Sequence, residues 1–281
     1  MDIHPVIRIP GHLALWPTLY TLGVLILAEK LIMATTPQWA PLCFVAFCAH
    51  GCYLLDRVKT SDARLDPADL LAQPKRYEFI HKHTRILRPI ILLDLVLAIA
   101  ASIVFNPMLA WVPLAALWGV HLYAGRRPDP SRPRLKDLPA LKAFFIAGAH
   151  LALALATILG EHGYGSLADS SGLFFTVLAM GAIVFGDAVL CDLDDQQSDE
   201  QFQTRSIPVL VGHKSAWLLA IGSHVLALSL LMLSVGWTPA LSIVGGTLLF
   251  TNGVFTLLRR QRDAVDARLL VLAVFFVALS N

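Results

Sequence analysis

The sequence predicts an all-α membrane protein, with about nine transmembrane helices bundled around a central cavity that opens to the cytoplasmic side. Three observations carry this prediction. Of the 281 residues 56% are hydrophobic, mean hydropathy is +0.65 and only 15% are charged, whereas a soluble domain carries about 25% charge. Apolar runs of spanning length recur along the whole chain, and none alternates with the period of two that a barrel strand needs. Open sheet edges have no place in lipid, so the runs are helices. Finally, the basic residues fall almost entirely on one side of those runs.

Nine runs read as spans: 11–33, 38–55, 87–106, 108–124, 140–160, 171–191, 214–235, 238–258 and 265–280. A spanning helix needs about 20 apolar residues, which makes the fourth and the last short. With the N-terminus inside, 21 of the 22 Lys and Arg residues lie on one side and only Lys30 on the other. Cytoplasmic loops carry that excess. The expectation is a single polytopic domain over 1–281 with a cytoplasmic N-terminus, in the inner membrane if the source is bacterial. The net charge of +2 hides this asymmetry, and basic loops of this kind suit anionic lipid head groups or a phosphorylated substrate. No nucleic-acid module is present. The N-terminus lacks a signal-peptide pattern, so the first run is expected to stay as an anchor.

The first span follows Pro5 and Pro10 and starts at Gly11, and Glu29 and Lys30 at its far end are expected to snorkel to the outer interface. Trp39, Trp111 and Trp237 fall near span ends as an interfacial aromatic belt. Cys43, Cys48, Cys52 and Cys191 form no Cys-x-x-Cys pair and read as reduced, structural residues. The second span delivers Gly51-Cys52-Tyr53-Leu54-Leu55-Asp56 to its cytoplasmic end, followed by the longest loop, 56–86, an expected active-site loop. Asp66-Pro67-Ala68-Asp69 resembles a helix start, so 68–85 is expected to form an amphipathic cytoplasmic helix. That helix is either a lid carrying diphosphate-binding cations or a solvated basic connection. His81 and His83, two apart, point to different faces and are poor joint ligands.

Asp94 in the third span reads as satisfying a neighbouring helix. His121 and Tyr123 end the fourth, before a basic stretch broken by Pro128, Pro130 and Pro133. Lys142, one turn inside the fifth span, either points at a phosphate or snorkels. His150 and His224 read as interhelical polar contacts. Gly245-Gly246 suggests close packing, and the last three spans are otherwise featureless.

The sixth span carries the stretch that organises the rest. Asp187 lies inside it, and Asp192-Leu193-Asp194-Asp195-Gln196-Gln197-Ser198-Asp199 follows at once, opening the second expected active-site loop, 192–213. Asp192, Asp195 and Asp199 stand at i, i+3 and i+7, so a helix continuing through them puts three carboxylates on one face. Either this is a solvated acidic cap, or a divalent cation or several basic groups neutralise it. Oxygen-only ligation suits hard ions, and Mg²⁺ commonly pairs one or two carboxylates with a substrate's phosphates. Gly51 before Asp56 and Gly186 before Asp192 repeat the glycine-then-aspartate arrangement at a second span end. A two-halved bundle facing one cavity explains the repeat.

Asp192-x-x-Asp195-x-x-x-Asp199, then Arg205-Ser206-Ile207-Pro208-Val209 and Gly212, resembles the second aspartate-rich motif of the UbiA-type intramembrane prenyltransferases. The resemblance in layout covers nearly the whole chain, while only this motif is specific. The family's first motif survives only at Asp56. Cys52, Tyr53 and Thr60 stand at its other polar positions, and Phe202-Gln203 replaces the usual small pair before the basic residue.

The resemblance implies an enzyme that takes a polyprenyl diphosphate, with Mg²⁺ bridging the two motifs, and transfers the prenyl group to an unidentified acceptor, aromatic or lipid. It implies Asp192, Asp195, Asp199 and Asp56 as metal ligands, Asp56 and Asp187 as the catalytic carboxylates, and Arg205 with Lys142 as diphosphate contacts. With the first motif depleted, either Asp62 or Asp66 substitutes, or one metal serves, or catalysis is lost. The competing readings are a silent homologue that binds an isoprenoid lipid or acts as a membrane assembly partner, and a transporter using Asp187 and Asp94 as an ion relay.

Overall fold

The computed structural model describes residues 5–60, 67–124, 134–168, 172–255 and 262–280. Every regular element among them is helical: α1 (Pro5–His12), α2 (Leu15–Met33), α3 (Trp39–Val58), α4 (Pro67–Ala72), α5 (Pro74–Phe105), α6 (Val112–Ala124), α7 (Leu141–Ala168), α8 (Leu173–Gln201), α9 (Ile207–Val211), α10 (His213–Val235), α11 (Pro239–Phe255) and α12 (Arg262–Ser280), with 3₁₀ turns at Pro107–Leu109 and Leu135–Asp137. Seven stretches are long and apolar enough to cross a membrane: α2, α3, α5, Pro107–Ala124, α7, α8 and α10. The other two expected spans appear as α11, an apolar helix of 17 residues, and α12.

The two longest helices run well past the length of a bilayer core. At 1.5 Å per residue the 29 residues of α8 reach about 43 Å, against about 30 Å of hydrocarbon. The excess is the acidic stretch, so the helix does continue through Asp192, Asp195 and Asp199. The 32 residues of α5 likewise join the expected cytoplasmic helix to the third span without a break. Proline explains where that segment divides: Pro74 opens α5 one residue after α4 ends, and a proline in a first turn loses no helical hydrogen bond.

The most extensive packing is α8 on α10, α3 on α5 and α2 on α12. Gly51 lets α3 approach α5, because a Cβ there would stand 3.2 Å from Asp94 Cβ, while a Cβ on Gly186 would meet Nε2 of His224 in α10 at 2.7 Å. Gly23 is as tight, and against backbone: its Cβ would lie 2.7 Å from the Leu270 backbone nitrogen of α12. Of the Gly245-Gly246 pair only Gly245 packs closely, against Leu228.

The main core joins Val24, Leu25, Phe44, Ile158, Met180 and Leu248 across five helices. An apolar cavity of about 20 Å³, lined by Leu27, Leu31, Ile183 and Leu228 among others, lies in that core, well away from the acidic stretch. Large apolar side chains such as Leu92, Val96, Leu226 and Phe250 face outward, as a lipid-facing surface requires. Trp39, Trp111 and Trp237 are also exposed, and none of the four cysteines is in a disulfide.

Glu29 departs from expectation. Instead of snorkelling to an interface it is fully buried, with Oε1 accepting from Thr35 at 3.3 Å and facing His162 Nε2 at 3.1 Å. A partner supplied by α7 removes the need to reach water.

Candidate active site

Asp56 ends α3, Lys142 begins α7 and Asp192–Asp199 end α8, so the topology gathers these residues at one end of the bundle. The three α8 carboxylates share one helix face, and Lys142 fills its centre. Lys142 Nζ lies 2.8 Å from Asp192 Oδ1, 3.4 Å from Asp195 Oδ2 and 3.2 Å from Asp199 Oδ2. All four residues are buried, Asp192 to 1% exposure. Lys142 therefore does not snorkel.

The charge balance suits a further cation here. One ammonium against three ionised carboxylates leaves about two negative charges in a buried setting, where an unmatched charge is expensive. Asp192 Oδ2 is shut from solvent and has no hydrogen-bond partner among the described residues, and Oδ1 has the Lys142 ammonium beside it. An all-oxygen donor set that includes such an orphaned oxygen fits a hard divalent ion such as Mg²⁺.

The lysine is aimed by a local clasp. The chain before α7 and the chain after α8 are stitched together by Ala140 N–H to Arg205 O (2.9 Å) and Arg205 N–H to Asp137 O (3.4 Å), while Thr204 N–H to Asp199 O (2.8 Å) folds the latter back on the end of α8. Asp137 locks the clasp: it accepts from Arg134 through Nε (2.9 Å) and a terminal nitrogen (3.0 Å), and from Thr204 Oγ1 at 2.7 Å. Burial pushes the Asp137 carboxyl up, but the hydrogen bonds from Arg134 and Thr204 outweigh it and hold it below its ordinary value. A depressed folded-state value gives stability that is present above the unfolded value near 4 and is lost as pH falls through the folded one. Thr204→Val is expected to cost about 2 kcal/mol at pH 7, as for a hydrogen bond to a charged group. Thermal unfolding against pH checks this, since the difference from wild type should shrink below about pH 4.

Asp56 is not brought onto Lys142. Its Oδ1 pairs with Lys59 Nζ at 2.6 Å, and Arg88 Nε donates to the Lys59 carbonyl at 3.3 Å. Tyr123, at the end of α6, lies in the electrostatic field of Lys142, Asp192, Asp56 and Asp199 together. Arg205 is exposed at the rim. Further into the bundle, Tyr53 O–H meets His150 Nε2 at 2.8 Å, and Tyr20 stands edge-on to the same imidazole at 5.3 Å. Asp62 and Asp66 lie outside the described residues.

Asp187 belongs to a different cluster. It accepts from Tyr20 O–H at 2.9 Å and pairs with Arg268 of α12 and with His224 Nε2 at 3.1 Å. Behind them Asn252 bonds His224 Nδ1 and Arg268, each at 2.7 Å. The last three spans are thus not featureless. A lone arginine in an apolar helix needs a buried acidic partner, and Arg268 carried that signal in the sequence. His150 and His224 both make interhelical contacts, as does Asp94, whose Oδ2 lies 2.7 Å from His50 Nδ1.

No family model matches the chain, and no curated protein matches it. Among solved structures it resembles the apo form of a UbiA homologue from Aeropyrum pernix K1, with a TM-score of 0.65, 16% identity, and 93% of this chain and 95% of that one covered. A UbiA homologue from Archaeoglobus fulgidus bound to GPP and Mg²⁺ gives a TM-score of 0.62 at 17% identity over 96% and 97%. A digeranylgeranylglyceryl phosphate synthase gives 0.56 at 14% over 98% and 95%. Near-complete coverage of both chains at these TM-scores supports one conclusion: this chain has the UbiA-type membrane fold.

Proposed function

We propose that the protein transfers a polyprenyl group from a polyprenyl diphosphate to an acceptor within the membrane, at the cytoplasmic end of the bundle. The observation that carries this reading is the buried face of Asp192, Asp195 and Asp199 closed around Lys142 at the end of an apolar bundle. The likeness to a UbiA homologue bound to GPP and Mg²⁺ supports the same substrate class. Asp192, Asp195 and Asp199 would hold Mg²⁺, with Asp56 opposite them. Mg²⁺ bound there supplies positive charge against the departing diphosphate. Lys142 adds a fixed ammonium and Arg205 a guanidinium at the rim, and positive groups aimed at developing negative charge need no reorganisation during the reaction. Asp187, fully engaged with Arg268, Tyr20 and His224, acts as a positioning residue that holds α8 against α2, α10 and α12. The ring faces of Tyr20 and Tyr53 suit an allylic cation, and the apolar walls keep water from it.

A second reading has its own observation: Lys142 already fills the carboxylate centre and Lys59 occupies Asp56. In that reading the fold binds an isoprenoid lipid without turning it over. The two separate on release of diphosphate from a panel of polyprenyl diphosphates. An enzyme shows release that requires Mg²⁺ and is lost in Asp192→Ala. Thermal protection by the isoprenoid without release establishes a binding protein instead.

A further inference from the structure

A second charged cluster lies at the opposite end of the bundle, outside the chemistry above. Glu29 closes α2, while Glu161 and His162 lie near the end of α7. From Lys142 to Glu161 the helix rises about 28 Å at 1.5 Å per residue. One carboxylate oxygen from each glutamate and an imidazole nitrogen come within 4.8 Å of one another. Nothing in prenyl transfer uses them.

Two features mark this as more than a surface collection of acids. Glu29 is 0% exposed, yet its Oε2 accepts no hydrogen bond among the described residues, and neither does the solvent-shielded Oε2 of Glu161. Each of these oxygens has lost its water without gaining a donor, and the two carboxylates repel across a poorly screened gap. The remaining contacts leave them available as ligands: Glu29 Oε1 faces His162 Nε2 at 3.1 Å and Thr35 at 3.3 Å, and Glu161 Oε1 accepts from the Gln38 backbone N–H at 3.2 Å. The backbone is shaped around this point. Gly163, with φ 79 and ψ 164, breaks the straight run of α7 immediately after His162, a turn that glycine makes without strain.

We propose that Glu29, Glu161 and His162 form a binding site for a divalent transition-metal ion of the Zn²⁺ class, which clamps the end of α2 and the start of α3 to the end of α7. One imidazole with two carboxylates is a donor set that Zn²⁺ accepts, whereas Mg²⁺ and Ca²⁺ prefer oxygen alone. The ion gives these buried carboxylates a positive partner and cancels the excess negative charge. Its place at the far end separates it from the Asp192 face, so the site stands whether or not the protein transfers prenyl groups.

The test uses the full-length protein, stripped with chelator, in detergent. Zn²⁺ binding is followed by calorimetry, and Co²⁺ is used as a spectroscopic probe for its visible ligand-field bands. Wild type and Asp192→Ala should both take up one tight equivalent and gain thermal stability with it. His162→Ala should lose that equivalent and the Co²⁺ bands. Glu161→Gln, at a half-buried position that keeps the fold, should bind at least about tenfold more weakly, the lower end of what even an outer-shell change costs a metal site. The same uptake in wild type and in both cluster variants would overturn the proposal, as would loss of the tight equivalent in Asp192→Ala, which would assign it to α8. Absence of any tight equivalent in wild type would also overturn it, leaving a shared proton as the relief of this cluster.

Discussion

Arg268→Met is expected to destabilise the purified protein by about 3–5 kcal/mol, the cost of breaking a buried ion pair on one side. Asp187 keeps Tyr20 and His224 as partners, but neither carries a permanent positive charge, so its carboxylate is left uncompensated in the middle of the bundle. Asn252, now bonded to both His224 and Arg268, loses its acceptor role toward the guanidinium at the same time. The double variant Asp187→Asn, Arg268→Met removes both charges, and replacing a buried pair by neutral groups is often nearly neutral for stability. Thermal unfolding of the three proteins in one detergent decides the matter. The expected order places the double variant well above Arg268→Met, and equal stability of wild type and Arg268→Met would show that the pair bears no load. If Asp187 only positions α8, the double variant should also retain diphosphate release.

The acidic face was legible in the sequence because helical periodicity is a local property. Asp192, Asp195 and Asp199 share a face in any helix that contains them, and α8 supplied that helix. The all-helical membrane architecture was legible for a similar reason, since apolar length needs no knowledge of packing. What fills the acidic face was not legible: Lys142 is fifty residues away, and whether a lysine near a span end reaches water or a carboxylate depends on the helix beside it. The clasp through Asp137 and Thr204, neither of which belongs to a motif, escaped for the same reason. Glu29 was misread because snorkelling is the default for a charged residue at a helix end, and that default fails when another helix ends at the same level with a histidine. Arg268 could have been found, since an arginine two turns into an apolar helix calls for an acid, and Asp187 was the carboxylate available.

Lys142→Met isolates what the lysine does at that face. Its ammonium sits 2.8–3.4 Å from three carboxylates, so it has two roles that act in opposite directions. In the proposed reaction it is a fixed cation beside the departing diphosphate that stabilises the transition state, and deleting one such preorganised group costs about 10²–10³ in turnover. Among carboxylates proposed to hold the metal, its positive charge repels a divalent ion, and removing it leaves three negative charges that Mg²⁺ would relieve. The variant is therefore expected to bind Mg²⁺ more tightly while releasing diphosphate at least a hundredfold more slowly. Lys142→Arg, which keeps the charge on a broader group, should fall between on both counts. Mg²⁺ titration of thermal stability reads the first quantity, and diphosphate release at saturating metal reads the second. Slower release with no change in Mg²⁺ affinity would place the metal away from Lys142. Tighter Mg²⁺ binding with release absent from both wild type and variant would favour the isoprenoid-binding reading, in which the lysine has taken over the neutralising role of the metal.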